Sequence, residues 1–121
     1  MVKGMSEYAP DGWVIVKVVN PTETFYRVFG SWYGSYLTGD YWRMNSGITG
    51  CYMEKDGDYY YFTGYSGSTY RCHKDSYDRV SAYNNSVLGD YIRRAPEKNF
   101  TMEVMPANTD WLNMNWKTNN A

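Results

Sequence analysis

The sequence contains few of the residues that usually carry catalysis or bind metals. There is one histidine, and the two cysteines, Cys51 and Cys72, do not form a Cys-x-x-Cys motif. Structural zinc takes four nitrogen or sulfur ligands, so we expect no metal site. The signatures of nucleophile elbows, phosphate-binding loops, zinc peptidases and dinucleotide folds are also missing. The sequence therefore predicts a protein that is not an enzyme and needs no cofactor.

An excess of charge of one sign and a long apolar run are missing too. Twelve basic and 13 acidic side chains leave a formal net charge of −1, which gives no field to attract nucleic acid or an anionic membrane. No stretch approaches the roughly 20 apolar residues that cross a bilayer, and residues 1–10 lack the apolar run of a secretory signal. We therefore expect a soluble, cytoplasmic protein without a membrane partner. Its two cysteines could pair across neighbouring strands, but in that compartment we expect them to stay reduced.

Aliphatic residues are scarce, and aromatic residues take their place. Three leucines and three isoleucines stand against 14 tyrosines, five tryptophans and four phenylalanines. Aromatic side chains favour strands and bury on the order of 150–250 Å² each, so they can fill a core. Tyrosine and tryptophan also carry a polar atom that needs water or a partner. The rings at the surface are then either lids over the core or parts of a recognition surface.

Six segments have the composition of β-strands and are separated by turn residues. Asn20-Pro21 ends the first segment, Asp56-Gly57 is the strongest hairpin signal, and Ser66-Gly67 gives another turn. The segments are 13–19, 24–32, 40–45, 47–54, 58–63 and 68–73. They predict a mainly β (α+β) fold, built as an antiparallel meander sheet or a small barrel of about six strands.

The C-terminal third of the chain has a different pattern. Apolar residues recur at helical spacing over 86–95, with Asn85 or Ser86 as the N-cap and Pro96 at the end. We expect this short helix to pack on one face of the sheet, and 100–105 to form a final strand. Residues 13–105 would be the folded core of a single domain, 1–121. The tail, 106–121, holds two tryptophans, so it either wraps the domain or docks on a partner.

The densest group of potential ligand-binding side chains lies in the third predicted strand and the turn after it. Alternation places Trp42 and Ser46 on one face, and Tyr41, Arg43 and Asn45 on the other. A ring beside a guanidinium suits a planar anionic ligand, because arginine offers a bidentate fork for phosphate and tyrosine a stacking face. The alternative is an ordinary surface ion pair between the arginine and one of two carboxylates, Asp40 or Glu54.

A second group of candidate site residues lies at the end of the last strand of the predicted sheet. It consists of Tyr70, Arg71, His73 and Lys74, which together supply local positive charge. The alternative is a loop of mixed sign, because Asp75 and Asp78 follow directly. A catalytic dyad of Cys72 with His73 is excluded, because adjacent residues on a strand point to opposite faces.

Four segments of the chain also carry a resemblance to known sequences. They are Trp42-Arg43-Met44-Asn45-Ser46-Gly47-Ile48, Tyr61-Phe62 followed by Ser66-Gly67-Ser68, Tyr70-Arg71-Cys72-His73, and Ser86-Val87-Leu88-Gly89-Asp90-Tyr91-Ile92. With them, the run from Trp13 to Trp111 resembles a group of small uncharacterised proteins encoded by tailed bacteriophages. These motifs are tied to no activity, so the resemblance assigns no site residue. It implies a phage accessory protein in the host cytoplasm that binds a host component or sequesters a host signal.

Several functions are compatible with these features. The first is a non-enzymatic binding protein for a small phosphorylated ligand, such as a nucleotide signal of antiviral defence, with a pocket between two copies of a homo-oligomer. The second is an inhibitor of a host enzyme or nuclease, anchored by the tail tryptophans and exposed tyrosines. The net charge of −1 argues against the third, single-stranded nucleic-acid binding, which needs a basic track. A structural role in the virion is the fourth. The aromatic surplus beside isolated arginines favours the first.

Overall fold

A computed structural model describes residues 6–120 of the chain. The fold is mainly β, of the α+β class, with two open sheets and one long helix. The elements are β1 (Glu7–Tyr8), β2 (Gly12–Val19), β3 (Glu23–Trp32), β4 (Tyr41–Met44), β5 (Ile48–Met53), β6 (Tyr59–Gly64), β7 (Thr69–His73), α1 (Ala82–Arg94), β8 (Thr101–Val104) and β9 (Lys117–Asn119), with 3₁₀ turns at Ala95–Lys98 and Trp111–Asn113. The six predicted strands correspond to β2 through β7, and the predicted final strand to β8.

The strands form two sheets, so the prediction of one meander sheet or a small barrel is wrong. One sheet has the order β4-β3-β2-β8, with β9 also paired to β3, and the other has the order β1-β7-β6-β5. Consecutive strands pair antiparallel from β2 to β4 and again from β5 to β7. Over residues 6–120 both sheets remain open. The meander is therefore cut in two between β4 and β5.

Asn45 explains where the chain leaves the first sheet. Its backbone N–H donates to Val28 O at 3.1 Å, and its side-chain Oδ1 accepts from Val28 N at 2.8 Å. The side-chain oxygen thus accepts the hydrogen bond that the next backbone carbonyl of β4 would otherwise accept. The backbone N–H of Val28 on β3 therefore keeps a partner although the main chain turns away. Gly47 follows with φ of 146°, and a Cβ there would lie 2.9 Å from the Tyr65 ring. Only glycine suits this crossing to the second sheet.

Alternation along β2 divides the interior into two cores. Trp13 and Ile15 face the second sheet and pack with Phe62 and Tyr70. Val14, Val16 and Val18 face the opposite side and pack under α1, against Phe29 and Leu88. The molecule therefore has three layers, with α1 outside, the five-stranded sheet in the middle and the four-stranded sheet on the other side.

The C-terminal tail packs on its own domain. Trp111 is 3 % exposed and lies 6.0 Å from Trp13, centroid to centroid. Trp116 is also buried, 5.9 Å from Phe62. Strand β9 then pairs antiparallel with the start of β3. Of the two expectations for residues 106–120, wrapping the domain is the one observed, because both tryptophans fill the core between the sheets.

The helix begins four residues before the predicted start. Ser81 is the N-cap, and its Oγ accepts from Asn84 N at 3.2 Å, so the predicted caps Asn85 and Ser86 lie inside the helix. The α-helix ends at Arg94, and Pro96 opens the 3₁₀ turn that follows, as expected from its missing N–H. The early start places Asn84 in the interior, although its neighbours in sequence are polar and exposed.

Strand order also determines whether the two cysteines can form a disulfide. Cys51 lies on β5 and Cys72 on β7, with β6 between them. Two strand spacings amount to about 9–10 Å, whereas disulfides require Cα atoms about 4.4–6.8 Å apart. The pairing across neighbouring strands considered from the sequence is therefore not available within this fold, and both thiols are free. Within the described part of the chain, helices with the length and apolarity of a membrane span are absent.

Candidate ligand-binding site

Strand β4 brings part of the first predicted group to a cavity at one edge of the sandwich. The cavity has a volume of about 340 Å³ and lies between β4 and the short strand β1. We call it the edge cavity, and its lining residues are Glu7, Tyr8, Ala9, Trp32, Tyr41, Trp42 and Arg43. Three of the nine predicted site residues, Tyr41, Trp42 and Arg43, therefore line one space.

The edge cavity has a flat aromatic wall. The rings of Trp32 and Tyr41 are stacked, with centroids 5.3 Å apart and planes within 4° of parallel. Trp32 also packs edge-on against Tyr8 at 6.5 Å, and its Nε1–H donates to Ala9 O at 3.1 Å. These contacts fix the indole, while Tyr41 stays 55 % exposed. A rigid ring with solvent on its outer side can stack a planar ligand without first having to be ordered.

Arg43 supplies the positive charge of the edge cavity. Its guanidinium carbon lies 4.3 Å from the centroid of the Tyr8 ring, in a cation–π contact that holds the group by its flat side. Among residues 6–120, Arg43 forms no salt bridge, so the alternative of an ion pair with Asp40 or Glu54 is not observed. Asp40 instead accepts from Gly34 N at 2.9 Å. The N–H groups of Arg43 remain available for a bidentate contact with an anion.

Arg71 lies on the opposite side of β1 from Arg43. Tyr8 and Tyr70 pair in register and face the interior, with their rings 5.2 Å apart, so the neighbours Glu7 and Arg71 point outward. The Arg71 guanidinium approaches the Glu7 carboxylate at 3.6 Å and the Tyr59 ring at 4.6 Å. The two arginines therefore do not share one site. The Glu7 carboxylate at the cavity rim has its charge partly offset by Arg71.

The rest of the second predicted group does not line the edge cavity. Tyr70 is buried, and burial raises the pKa of its phenol well above the usual value. His73 Nδ1 accepts from Asp75 N at 3.1 Å, and Lys74 pairs with Asp58 at 3.3 Å. His73 and Lys74 are thus engaged within the turn that ends β7, and the Tyr70 ring is packed in the core against Tyr8. We therefore leave them out of the candidate site.

The remaining residues of the first group have local partners. Trp42 stacks on Phe29 at 5.4 Å beneath α1, so its ring belongs mainly to the second core. Asn45 is buried in the crossing between the sheets. Ser46 Oγ accepts from Ser66 N at 3.1 Å, which ties two loops together. Tyr41 and Arg43 are thus the predicted residues that face the edge cavity with their functional groups available.

Two important residues of the edge cavity were missed by sequence reasoning. Tyr8 lies on β1, a two-residue strand that pairs parallel with β7, and a strand this short has no periodic pattern to detect. Trp32 was placed at the end of a predicted strand, where its large ring and polar nitrogen are the only signal of a wall near the surface. Tyr8 reaches the edge cavity from a distant part of the chain, whereas the pairing of β3 with β4 brings Trp32 beside Tyr41.

Comparison with known proteins does not add to this geometry. No family model, curated protein or solved structure matches the chain. Function must be inferred from the side chains themselves. The edge cavity offers stacking surfaces and one cation, and within residues 6–120 no three His, Cys, Asp or Glu side chains are grouped as a metal site.

Proposed function

We propose that this protein is a non-enzymatic binding protein that captures a small phosphorylated ligand with a planar base, of the nucleotide-signal class, in the edge cavity. The observation that carries the proposal is the combination of the exposed, stacked Tyr41 ring with the Arg43 guanidinium, which forms no salt bridge among residues 6–120, on one wall. A ring and a guanidinium that line one cavity offer partners for the two chemical halves of a nucleotide, the base and the phosphate.

The expected energetics are those of modest but specific binding. Stacking of a base on an aromatic side chain contributes about 1–3 kcal/mol, and a hydrogen bond to a charged group contributes about 1.5–3 kcal/mol. The cavity volume of about 340 Å³ lies near the lower limit for small-molecule sites, roughly 300–1,000 Å³. One base and its phosphate would fill it. A larger ligand would extend to a second copy of the chain, which is consistent with a homo-oligomer.

The biological role that we propose follows from the resemblance to tailed-phage proteins. A phage accessory protein in the host cytoplasm that sequesters a nucleotide signal would act in counter-defence. Sequestration requires binding without turnover, so it needs no catalytic group. The edge cavity, lined by aromatic side chains, Glu7 and Arg43, offers such a signal a stacking surface and a cation.

Isothermal titration calorimetry with cyclic mononucleotides, cyclic dinucleotides and ADP-ribose derivatives tests the proposal. The wild-type protein should bind at least one of them, and Arg43→Gln should bind it at least about tenfold more weakly, since a charge-assisted hydrogen bond is lost. Arg93→Gln is the matched control, because Arg93 is an exposed arginine paired with Asp90 on α1. Absence of heat with every ligand, or equal affinity of the Arg43 variant, would contradict the proposal.

Inhibition of a host enzyme or nuclease is a second candidate, and the loop 33–40 favours it. Tyr36 and Leu37 at its tip are 101 % and 89 % exposed, although the loop is ordered by Ser35, whose Oγ accepts from Leu37 N and Thr38 N at 3.2 and 3.0 Å. Two adjacent exposed apolar side chains on an ordered loop offer a small apolar contact surface to a partner, and tyrosine with serine and glycine is typical of binding loops.

Burial of the tail changes which residues could anchor a host protein in this second candidate function. Trp111 and Trp116 fill the core, so they cannot be the anchors expected from the sequence. Affinity capture from bacterial lysate should recover one stoichiometric host protein with the wild type and lose it with the double variant Tyr36→Ala, Leu37→Ala. Tyr83→Ala, at an exposed helix position, is the control. Recovery of no stoichiometric protein would exclude this function.

A further inference from the structure

A second concave surface lies on the other side of the five-stranded sheet, where α1 ends. Two adjacent cavities of about 280 Å³ and about 300 Å³ meet there, and both are lined by Lys98 and Phe100. We call their union the helix-end groove. Its other main residues are Phe25 and Arg27 from β3 and Tyr91 and Arg94 from α1.

The floor of the helix-end groove is apolar. Phe100 is half-buried and belongs to both cavities. Tyr91 extends the apolar surface along the helix and Phe25 extends it along the sheet, while the neighbouring Ala95 and Val18 are almost fully buried. Apolar side chains therefore form a continuous strip that can bury the body of a ligand, at roughly 25 cal/mol for each Å² removed from water.

The charges around this floor are almost all positive. Within residues 6–120, none of the three cations Arg27, Arg94 and Lys98 forms a salt bridge. The carboxylate that lines the groove, Asp90, is paired with Arg93 at 2.7 Å. An apolar floor with unpaired cations and a neutralised acid is complementary to an anion with an apolar body.

Arg27 is held in this position by the fold. Its Nε–H donates to Asn45 O at 2.6 Å, which leaves the two terminal nitrogens of the guanidinium free to bind an anion. The side chain is partly buried, and this burial lowers its pKa. The Arg27 guanidinium is thus partly desolvated, and among residues 6–120 no carboxylate forms a salt bridge with it. Desolvation of a cation without a counter-ion costs free energy, and a bound anion would offset that cost.

The end of the helix does not require these cations. Asn99 takes the left-handed conformation, with φ of 65°. Its N–H donates to Pro96 O at 3.2 Å, and Phe100 N donates to Ala95 O at 3.3 Å. Backbone donors therefore satisfy the last carbonyls, as in other helix C-caps. Arg94 and Lys98 remain available to a ligand.

We propose that the helix-end groove binds a small amphipathic anion, with its aliphatic or aromatic body on Phe100 and its acidic head group at Lys98, between Arg27 and Arg94. This site is separate from the edge cavity, because Arg27 and Arg43 lie on opposite sides of the five-stranded sheet. Occupation of one does not depend on the function proposed for the other.

Fluorescence titration with anilinonaphthalene sulfonate, an aromatic anion, tests this site, with dodecanoate and dodecanol as competitors. The dye should bind the folded protein at one site, and dodecanoate should displace it whereas dodecanol at the same concentration should not. Lys98→Gln and Arg94→Gln should each weaken dye binding by about fivefold, as expected for loss of one solvent-exposed ion pair. Both side chains are exposed, so the fold is retained.

Three comparisons separate this proposal from its alternatives. Lys98→Arg keeps the charge and should retain dye binding. Phe100→Ala should lose dye binding, because it removes the apolar floor of the groove. Arg43→Gln should leave dye binding unchanged, so failure at the edge cavity is distinguishable from failure here. Equal displacement by dodecanol, or unchanged dye affinity in the Lys98 and Arg94 glutamine variants, would overturn the proposal and reduce the groove to an apolar patch.

Discussion

Replacement of Trp111 by alanine tests whether the tail is part of the hydrophobic core. The indole is 3 % exposed and lies within 6.0 Å of the Trp13 ring and 5.4 Å of the Tyr77 ring, measured between centroids. Deleting a buried tryptophan side chain costs about 3–5 kcal/mol. Domains of this size have a total stability of about 5–15 kcal/mol. Trp111→Ala should therefore remove a large part of the stability and lower the melting temperature by about 10–25 °C.

Urea denaturation followed by circular dichroism measures this loss directly. The control is Leu112→Ala, because Leu112 is adjacent in sequence but 48 % exposed, and it should cost less than about 1 kcal/mol. A Trp111→Ala variant within about 1 kcal/mol of the wild type would refute the assignment of the tail to the core. The tail would then be free to dock elsewhere.

Three further predictions concern buried polar groups. Asn84→Ala should destabilise the protein by about 1–3 kcal/mol in urea titrations, since Asn84 Nδ2 donates to Tyr41 O at 2.8 Å from a fully buried position; a neutral effect would contradict this role. Burial raises the pKa of Tyr77 to about 12, above the unfolded value of about 10, so its contribution to stability is complete below about pH 10 and is lost as the pH rises towards 12. The Tyr77→Phe variant should therefore lose less stability than the wild type between about pH 9 and 11, and parallel curves would refute the assignment. Burial also raises the pKa of Cys51 to about 12 and that of Cys72 well above its usual value. Both thiols should thus resist Ellman's reagent at neutral pH until the protein is unfolded, and rapid reaction of the native protein would contradict this.

The strands could be predicted from the sequence because their signals are local. Asp56-Gly57 closes the hairpin between β5 and β6, with Asp56 at φ of 58°. The β-branched run of β2 and the aromatic run of β6 also match their observed bounds closely. The mainly β class follows from such patterns alone.

The division into two sheets could not be predicted in this way. It depends on Asn45, whose side chain bonds to Val28 on a different strand. An asparagine followed by serine and glycine reads as an ordinary turn, so the sequence pattern cannot distinguish a hairpin from a crossing between sheets. The early start of α1 has a similar cause, because burial of Asn84 depends on its bonds to Ser31 and Tyr41.

Only the part of the candidate site that depends on local sequence could be predicted. Alternation along one strand correctly places Tyr41 and Arg43 on the same face, since that relation is local. Their partners Tyr8 and Trp32 reach the edge cavity through tertiary contacts. The sequence also left open whether Arg43 and Arg71 face the same side, and the register of β1 with β7 separates them.

Native mass spectrometry of the protein purified from bacteria that are made to produce it during phage infection tests the proposed function most directly. We expect the wild-type protein to carry a small molecule with the mass of a nucleotide, and Arg43→Gln to be purified without it, while Arg93→Gln retains it. A wild-type protein with no small molecule bound, or an Arg43→Gln variant that retains the same ligand, would contradict the assignment of the edge cavity as a nucleotide site.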